Sequence, residues 1–206
     1  MEPCLETHPL DPVGVTWLED IFRRNMIDIR AFLRDVDMIL SNAHPKIKTL
    51  FLEGVSNAGK TLIQELVCSN QGTVGYAELR DRNLFQLEPL VGADIAVISE
   101  FLAIPQNVPI AKRLFGGEKF PIQQKNKKQV LHKAMPVIVT AQEGWNTWMG
   151  YGDLVAVMNR CKYYKFTHAA PEAPVRICPC YWQHVQEKHR RGGGLDFGDE
   201  EGQENQ

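Results

Sequence analysis

The sequence predicts an α/β fold with a central, mostly parallel β-sheet. Over residues 46–166, short apolar runs of β-forming residues alternate with segments of helical periodicity, a pattern typical of an α/β sheet. One apolar run, Thr49–Leu52, leads into the glycine-containing run Gly54–Thr61. An amphipathic stripe follows at once, formed by Leu62, Ile63, Leu66 and Val67. A strand, a loop and a helix therefore stand in succession, and 206 residues suffice for one substantial core.

The N-terminal part is predicted to be an arm followed by two helices. Residues 1–16 contain three prolines and no periodicity, so we expect a loose arm. From Trp17 onward, apolar residues recur at three- to four-residue spacing, which predicts helices over 17–25 and 28–42. We expect their apolar stripe to pack in the core, and a helix that contacts a membrane or a partner is the alternative.

The central part is predicted to supply the elements of the sheet. Helical periodicity indicates helices over 60–69, 107–115 and 152–158. β-forming runs indicate strands over 48–53, 94–99, 119–123, 129–131 and 136–140, with a further candidate over 161–166. Beyond residue 167 lies a segment with Pro, Cys and His, and from Arg190 a glycine triplet precedes several acidic residues. That composition cannot bury a core, so we predict a disordered acidic tail over 190–206.

Composition excludes some classes of protein. A net charge of −2 leaves no global attraction to nucleic acid, so any such binding requires a local basic patch. No apolar run approaches the roughly 20 residues of a membrane-spanning helix, and the first residues lack the pattern of a signal peptide. Five cysteines, an odd number, fit a reducing compartment better than a disulfide framework. These features favour an intracellular location.

The run Gly54–Thr61 reads GVSNAGKT and fits the phosphate-binding pattern G-x-x-x-x-G-K-[ST] at each required position. In such loops backbone N–H groups and the N-terminus of the following helix face the phosphates. Lys60 would reach the β- and γ-phosphates, and the Thr61 hydroxyl would bind Mg²⁺. The sequence therefore predicts a nucleoside triphosphate site formed by Gly54, Ser56, Asn57, Ala58, Gly59, Lys60 and Thr61.

Two polar side chains follow predicted strands and could complete such a site. Glu100 ends the apolar run 95–98 and is placed to hold Mg²⁺ or to activate water, whereas Asp94 begins that strand, which is the wrong end. Gln142 follows the strand that starts at Pro136, where an amide could hydrogen-bond the γ-phosphate or the water. By itself Gln142 is better explained as a turn glutamine, whereas Glu100 is better explained by this role than as a solvated acid at a strand end.

Two further clusters carry weaker signals. Lys125, Lys127 and Lys128 lie in a polar run between two candidate strands. Taken by itself, such a charge run is more typical of a solvated turn than of a nucleic-acid contact. In the C-terminal segment, cysteines and histidines lie near zinc-ligand spacing without matching the usual C-x₂-C arrangement; they are Cys178, Cys180, His184 and His189, with Cys161 and His168 as further candidates. We favour the interpretation that the cysteines are buried beside a helix and the histidines lie on the surface, rather than that they bind zinc.

The order of phosphate loop, strand with acid, lysine-rich hairpin, strand with amide and later arginine resembles superfamily 3 helicases. Within them it is similar to the C-terminal helicase domain of parvovirus non-structural replication initiator proteins, densovirus-like members above all. The resemblance covers about residues 17–166 and implies an AAA-like domain that forms a ring, expected to be a hexamer, and hydrolyses ATP to move along single-stranded DNA in the host nucleus. Composition and this resemblance together predict an N-terminal arm and helical oligomerisation segment (1–45), an ATPase core (46–167), a Cys/His segment (168–189) and the tail (190–206).

The resemblance also implies roles for single residues. Glu100 would be the general base and, with Thr61, a Mg²⁺ ligand, while Gln142 would sense the γ-phosphate. Arg160 would act in the neighbouring subunit's ATP site, a role for which Lys112 and Arg113 are poorer candidates. The hairpin lysines Lys125, Lys127 and Lys128 would contact single-stranded DNA through its phosphates.

The chain departs from the family pattern in three respects. Ser99 stands where parvoviral proteins usually carry a second carboxylate, and Gln142 stands where they usually carry asparagine. Only about 45 residues precede the predicted core, and they contain no His-x-His pair of a nicking endonuclease, so we expect an incomplete initiator. An alternative is therefore a remnant that binds nucleotide and acts through DNA or protein contacts. A small-molecule kinase is disfavoured because lid arginines are missing.

Overall fold

The computed structural model describes residues 12–69, 71–79, 84–125, 128–131, 133–173, 178 and 180–191. Its helices are α1 (Pro12–Arg24), α2 (Ile29–Leu40), α3 (Lys60–Cys68), α4 (Val108–Phe115), α5 (Tyr151–Met158) and α6 (Cys180–Arg191), with a 3-10 helix at Leu84–Leu90. Its strands are β1 (Thr49–Gly54), β2 (Val74–Ala77), β3 (Ile95–Ile98), β4 (Pro121–Ile122), β5 (Val130–Leu131), β6 (Val137–Ala141) and β7 (Cys161–Phe166).

Five of these strands form one sheet in the order β2-β3-β6-β1-β7, and each neighbouring pair is parallel. The predicted α/β class with a mostly parallel central sheet is thus confirmed. β1 lies between β6 and β7, with Thr49 opposite both Val137 and Cys161. Because the carboxyl ends of parallel strands meet at one edge of a sheet, the residues that follow β1, β3, β6 and β7 converge there.

The two faces of the sheet bury separate apolar clusters. Alternating residues of β1 point to opposite faces, so Leu50 and Leu52 join one cluster and Phe51 joins the other. The first cluster contains α1, α2, α3 and α6, and the second contains α4 and part of the 3-10 helix. All six residues of β1 are buried, as expected for a strand covered on both faces.

The N-terminal helices share this core with the sheet. Their apolar stripe, including Leu18, Ile21 and Phe32, is buried, which confirms the prediction of core packing. Asp28 starts α2, because its carboxylate accepts hydrogen bonds from the backbone N–H groups of Arg30 (2.8 Å) and Ala31 (3.3 Å). No helix among the described residues is long and apolar enough to cross a membrane. The segment boundaries drawn from the sequence stay a prediction.

Some local predictions are wrong. Residues 12–16 belong to α1 rather than to a loose arm, and Pro12 is tolerated there because the first N–H groups of a helix have no intrahelical partner. Residues 190 and 191 end α6 rather than begin a disordered tail, and the rest of that tail lies outside the described residues. β2, the 3-10 helix and α6 were not predicted, because their sequences are short or strongly polar.

Candidate functional site

The run Gly54–Thr61 forms a tight loop between β1 and α3. A Cβ atom on Gly54 would lie 2.0 Å from the carbonyl oxygen of Phe166, so no side chain fits at that position. Gly59 has φ +86° and Asn57 has φ +60°, both in the left-handed region that glycine and asparagine tolerate best. The loop therefore takes the curled backbone that the phosphate-binding pattern predicts.

Lys60 is folded back into this loop. Its side chain is buried, and its Nζ donates hydrogen bonds to the carbonyl oxygens of Gly54 (2.8 Å) and Val55 (2.7 Å). Burial lowers the pKa of Lys60, and the negative charge of Glu100 is the largest charge opposing that shift. A cation held by carbonyl groups beside an acid is available for an anion such as phosphate, which would neutralise its charge more fully than carbonyls do.

Glu100 and Gln142 meet at the carboxyl edge of the sheet. The Gln142 Nε2 donates to the Glu100 Oε2 at 2.8 Å, although 42 residues separate them. Thr140 in β6 holds the loop after β3, because its hydroxyl accepts from the Glu100 N–H (3.3 Å) and its carbonyl accepts from the Phe101 N–H (2.8 Å). Glu100 itself has φ +53°, a left-handed backbone that a non-glycine residue rarely adopts and that is often found at functional sites.

One cleft of about 550 Å³ joins these groups. Among its lining residues are Lys60, Thr61, Glu100 and Gln142, and Ser56, Asn57, Ala58 and Gly59 line it as well. Of the predicted nucleotide-site residues, Gly54 supports the loop from β1 without lining the cleft. The structure thus brings together the loop, the candidate base and the candidate sensor on one surface.

The donor set in this cleft suits Mg²⁺. Thr61 is exposed and lines the cleft, as does Glu100, so the cleft offers a hydroxyl oxygen and a carboxylate oxygen. Mg²⁺ prefers oxygen ligands and is usually bound by one or two carboxylates together with phosphate oxygens and water. Ser99 lines an adjoining cavity of about 440 Å³ instead, together with Glu78 and Leu102.

A second network lies beside the cleft, and sequence reasoning missed it. The buried carboxylate of Glu53, the residue before Gly54, accepts hydrogen bonds from the Trp145 Nε1 (2.7 Å) and the Tyr163 hydroxyl. Lys165 faces the same carboxylate at 3.6 Å. Trp145 in turn donates its backbone N–H to the Gln142 carbonyl (3.2 Å). Glu53 therefore anchors the turn that carries Gln142. The sequence contained one sign of this network, namely an acidic residue within a predicted strand that is otherwise apolar.

Arg160 lies at the other edge of the sheet. It precedes Cys161, which pairs with Thr49 at the start of β1. β1 has six residues, so at about 3.3 Å per residue its ends lie roughly 16 Å apart. The Arg160 Nη1 donates to the Ala156 carbonyl (2.5 Å), and its Nη2 pairs with Glu118 (3.3 Å). Arg160 is thus not part of the cleft of its own chain.

The predicted hairpin that carries the lysine run is present only in part. β4 and β5 are antiparallel strands of two residues each, shorter than predicted because just Pro121–Leu131 and Ile122–Val130 pair. Lys125 and Lys128 are exposed near the tip, and Lys127 lies outside the described residues. Neither Lys125 nor Lys128 is among the residues that line the cleft. The DNA role of the three lysines stays a prediction.

The Cys/His cluster does not assemble as a metal site in the part of the chain that is described. No group of three or more His, Cys, Asp or Glu side chains there could hold a metal ion. Cys178 and Cys180 are buried with their sulfur atoms 2.7 Å apart, whereas the His189 Nε2 contacts Glu19 of α1 at 3.0 Å. Cys161 lies at the amino end of β7 and donates to the Val157 carbonyl (3.2 Å).

Comparison of the sequence with known proteins finds relatives among viral initiator proteins. The chain is 28% identical over 152 residues to the initiator protein NS1 of Aedes albopictus densovirus (isolate Boublik/1994), covering 74% of this chain and 19% of that protein. It is 27% identical over 150 residues to NS1 of Aedes densonucleosis virus (strain GKV 002 002), covering 73% and 18%. The chain thus spans about a fifth of the length of these relatives.

Solved structures support the fold. A structure of the JCV helicase matches with a TM-score of 0.60 at 14% identity, covering 89% of this chain and 61% of that one. The C-terminal region of NrS-1 matches with a TM-score of 0.57 at 16% identity, covering 91% and 46%. The model of the parvovirus non-structural protein NS1 family matches residues 14–147, more than half of the chain. The chain therefore belongs to the parvovirus non-structural protein NS1 family.

Proposed function

We propose that this chain is an ATP-hydrolysing helicase domain that moves along single-stranded DNA during viral DNA replication in the host nucleus. The observation that carries the proposal is the convergence of Lys60, Glu100 and Gln142 on one cleft that contains the phosphate loop. Membership in the NS1 family supports it, since relatives in that family are named initiator proteins.

The cleft would act on ATP by positioning and electrostatics. Backbone N–H groups of the loop and the Lys60 ammonium would bind the phosphates, and Lys60 would exchange the carbonyls of Gly54 and Val55 for phosphate oxygens. Mg²⁺ held by Thr61, Glu100 and phosphate oxygens would neutralise charge on the phosphates. These groups would hold the triphosphate in position for hydrolysis.

Hydrolysis needs a base and a polar group that orients the water. The Glu100 carboxylate would accept a proton from a water molecule as the water oxygen bonds to the γ-phosphorus and the bond to the ADP oxygen breaks. Gln142 already donates to Glu100 and would orient that carboxylate or contact the γ-phosphate through its amide. Glu100 therefore has a partner that fixes its side chain before water arrives.

Assembly of several copies of this chain would bring a further positive charge, that of Arg160, to each ATP site. Arg160 lies roughly 16 Å from the loop of its own chain by the length of β1, which supports a role in the ATP site of a neighbouring subunit rather than in its own. To reach a neighbouring ATP site, Arg160 would have to break its ion pair with Glu118. That pair is partly exposed and therefore weak. We propose a ring of identical subunits, a hexamer by analogy with the family, with Lys125, Lys127 and Lys128 directed to DNA.

The deciding experiment is DNA-stimulated ATP hydrolysis by the purified chain. We expect turnover with Mg²⁺ that rises on addition of single-stranded DNA. Lys60→Ala is the matched control and should lose nucleotide binding together with turnover. Hydrolysis that is equal in both proteins would come from a contaminant and would refute the proposal.

A nucleotide-binding remnant is the second candidate, and the position of Ser99 favours it. Ser99 replaces the second acid of the family and lines the adjoining cavity, so the cleft contains a single strand-end carboxylate of this type among the described residues. Tight ATP binding without turnover, at every DNA concentration, would support this candidate over the motor.

A further inference from the structure

Lys165 joins two acidic residues at the carboxyl edge of the sheet. Its Nζ lies 3.2 Å from Oε1 of Glu143 and 3.6 Å from Oε1 of Glu53. Lys165 stands opposite Glu53 in the pairing of β7 with β1, whereas Glu143 lies in the turn after β6. One ammonium group therefore bridges carboxylates that belong to two separate elements of the site.

Both acids are direct neighbours in the chain of residues that form the nucleotide cleft. Glu53 precedes Gly54, whose carbonyl accepts a hydrogen bond from the Lys60 Nζ at 2.8 Å. Glu143 follows Gln142, which lines the cleft. Burial lowers the pKa of Lys60, and the charges of Glu143 and Glu53 are among those that oppose this shift. The two carboxylates thus act on the ammonium group that would bind phosphates.

Lys165 is the only cation that pairs with either acid among the residues that the structure describes. Trp145 and Tyr163 also donate hydrogen bonds to Glu53, but both are neutral donors. Burial and the Glu53 carboxylate raise the pKa of Tyr163, so its phenol keeps its proton. The pKa of Lys165 is raised by its hydrogen bond to Glu143 and by the charge of Glu53, so its ammonium stays charged. Without Lys165, two negative charges would stand uncompensated beside the loop.

This bridge matters more for a charged ligand than for folding. Lys165 is 45% exposed and Glu143 is 51% exposed, and ion pairs between such exposed side chains contribute little to the free energy of unfolding. A triphosphate on the loop, by contrast, carries several negative charges of its own, and like charges brought together at a binding site oppose binding. The effect of Lys165 should therefore appear in ligand affinity.

We propose that Lys165 is a specificity-determining residue of this cleft, which neutralises Glu53 and Glu143 and thereby sets the preference for a nucleoside triphosphate over a diphosphate. This rests on the proposed function, because the ligand is the nucleotide on the loop. The γ-phosphate gains most from Lys165, since Glu143 follows Gln142, the candidate sensor of that phosphate. A diphosphate has no group at that position and carries less negative charge, so it gains less.

Calorimetric titration of the full chain with Mg²⁺ tests this role, with ADP and with an ATP analogue whose β,γ-imide bridge prevents hydrolysis. Lys165→Met should weaken binding of the analogue about tenfold and binding of ADP less than about threefold, because the uncompensated acids repel the longer phosphate chain more. Lys165→Arg keeps the charge and should keep both affinities. Lys162→Met is the matched control and should bind both ligands as wild type does, since Lys162 lies in the same strand but pairs with Asp35 of α2 at 2.9 Å.

Glu143→Gln keeps the test decisive if Lys165→Met does not fold. It removes one acid at an exposed position and leaves Lys165 paired with Glu53, so it should tighten binding of the analogue about threefold and change ADP little. Where Lys165→Met folds, adding Glu143→Gln to it should recover part of the lost affinity. The loss in Lys165→Met should also shrink as salt rises from about 0.05 M to about 0.5 M, because salt screens exposed charges.

The outcomes separate this role from the function on which it rests. If wild type binds neither the analogue nor ADP, the proposed function fails. If wild type binds the analogue and Lys165→Met weakens both ligands to the same degree, Lys165 acts through the shape of the loop and its role in specificity is refuted. Affinities that stay unchanged in Lys165→Met, or in Glu143→Gln, refute it as well.

Discussion

Replacing Trp145 with Phe should destabilise the protein by removing one hydrogen bond to a buried acid. Glu53 is 7% exposed and Trp145 is 2% exposed, and the indole Nε1 donates to the Glu53 Oε2 at 2.7 Å. A hydrogen bond to a charged group contributes about 1.5–3 kcal/mol. The Tyr163 hydroxyl and Lys165 still face the carboxylate, so Glu53 is not left without partners. We therefore expect the free energy of unfolding to fall by about 2 kcal/mol.

Urea denaturation followed by circular dichroism measures this loss. In a chain of this size about 2 kcal/mol also corresponds to a fall in Tm of roughly 4–8 °C. Trp148→Phe is the matched control: the same substitution at an exposed position three residues away should change stability by less than about 0.5 kcal/mol. Equal stability of Trp145→Phe and wild type would refute the importance of this bond.

A double-mutant cycle then identifies the acceptor. In a Glu53→Gln background the indole would donate to a neutral amide oxygen, so Trp145→Phe should cost less than it does in wild type. If the cost is the same in both backgrounds, the carboxylate is not what Trp145 stabilises. The Trp145 backbone N–H also donates to the Gln142 carbonyl, so the indole bond to Glu53 holds the turn that carries Gln142. Because Trp145→Phe removes that indole bond, ATP turnover should fall together with stability, while ATP affinity should change little.

Three further predictions concern the proposed motor. Glu100→Gln should bind ATP as wild type does and hydrolyse it at least 100-fold more slowly, because an amide cannot take the proton of the water; wild-type turnover would show that another residue is the base. Lys125→Ala with Lys128→Ala should reduce the slope of log K against log salt for single-stranded DNA by about 1.4, since each lost phosphate contact removes about 0.7; an unchanged slope would show that these lysines do not touch the backbone. Arg160→Ala should bind ATP normally but turn it over about 10³-fold more slowly. Mixing it with Glu100→Gln should restore part of the activity, because a mixed ring can place an intact Arg160 beside an intact Glu100, and a mixture that stays inactive would exclude action between subunits.

Local patterns were sufficient for much of the site. The loop sequence predicts its own conformation, because Gly54 and Gly59 occupy positions where a side chain would clash or a left-handed φ is needed. Glu100 and Gln142 were placed at strand ends by the apolar runs before them, and a parallel sheet brings such ends to one edge. These predictions rest on chain-local periodicity and on one general property of parallel sheets.

The sequence by itself therefore determined the α/β class, the curled conformation of the loop at residues 54–61 and the two strand-end groups, since each depends on residues close together in the chain. Only the tertiary structure decided that Glu53 anchors the turn of Gln142 through Trp145, and that Trp17 and Pro171 line the same cleft. Pairs such as these are separated by 92 and 154 residues. No short pattern records such a separation, because those contacts exist only once the strands and helices have packed.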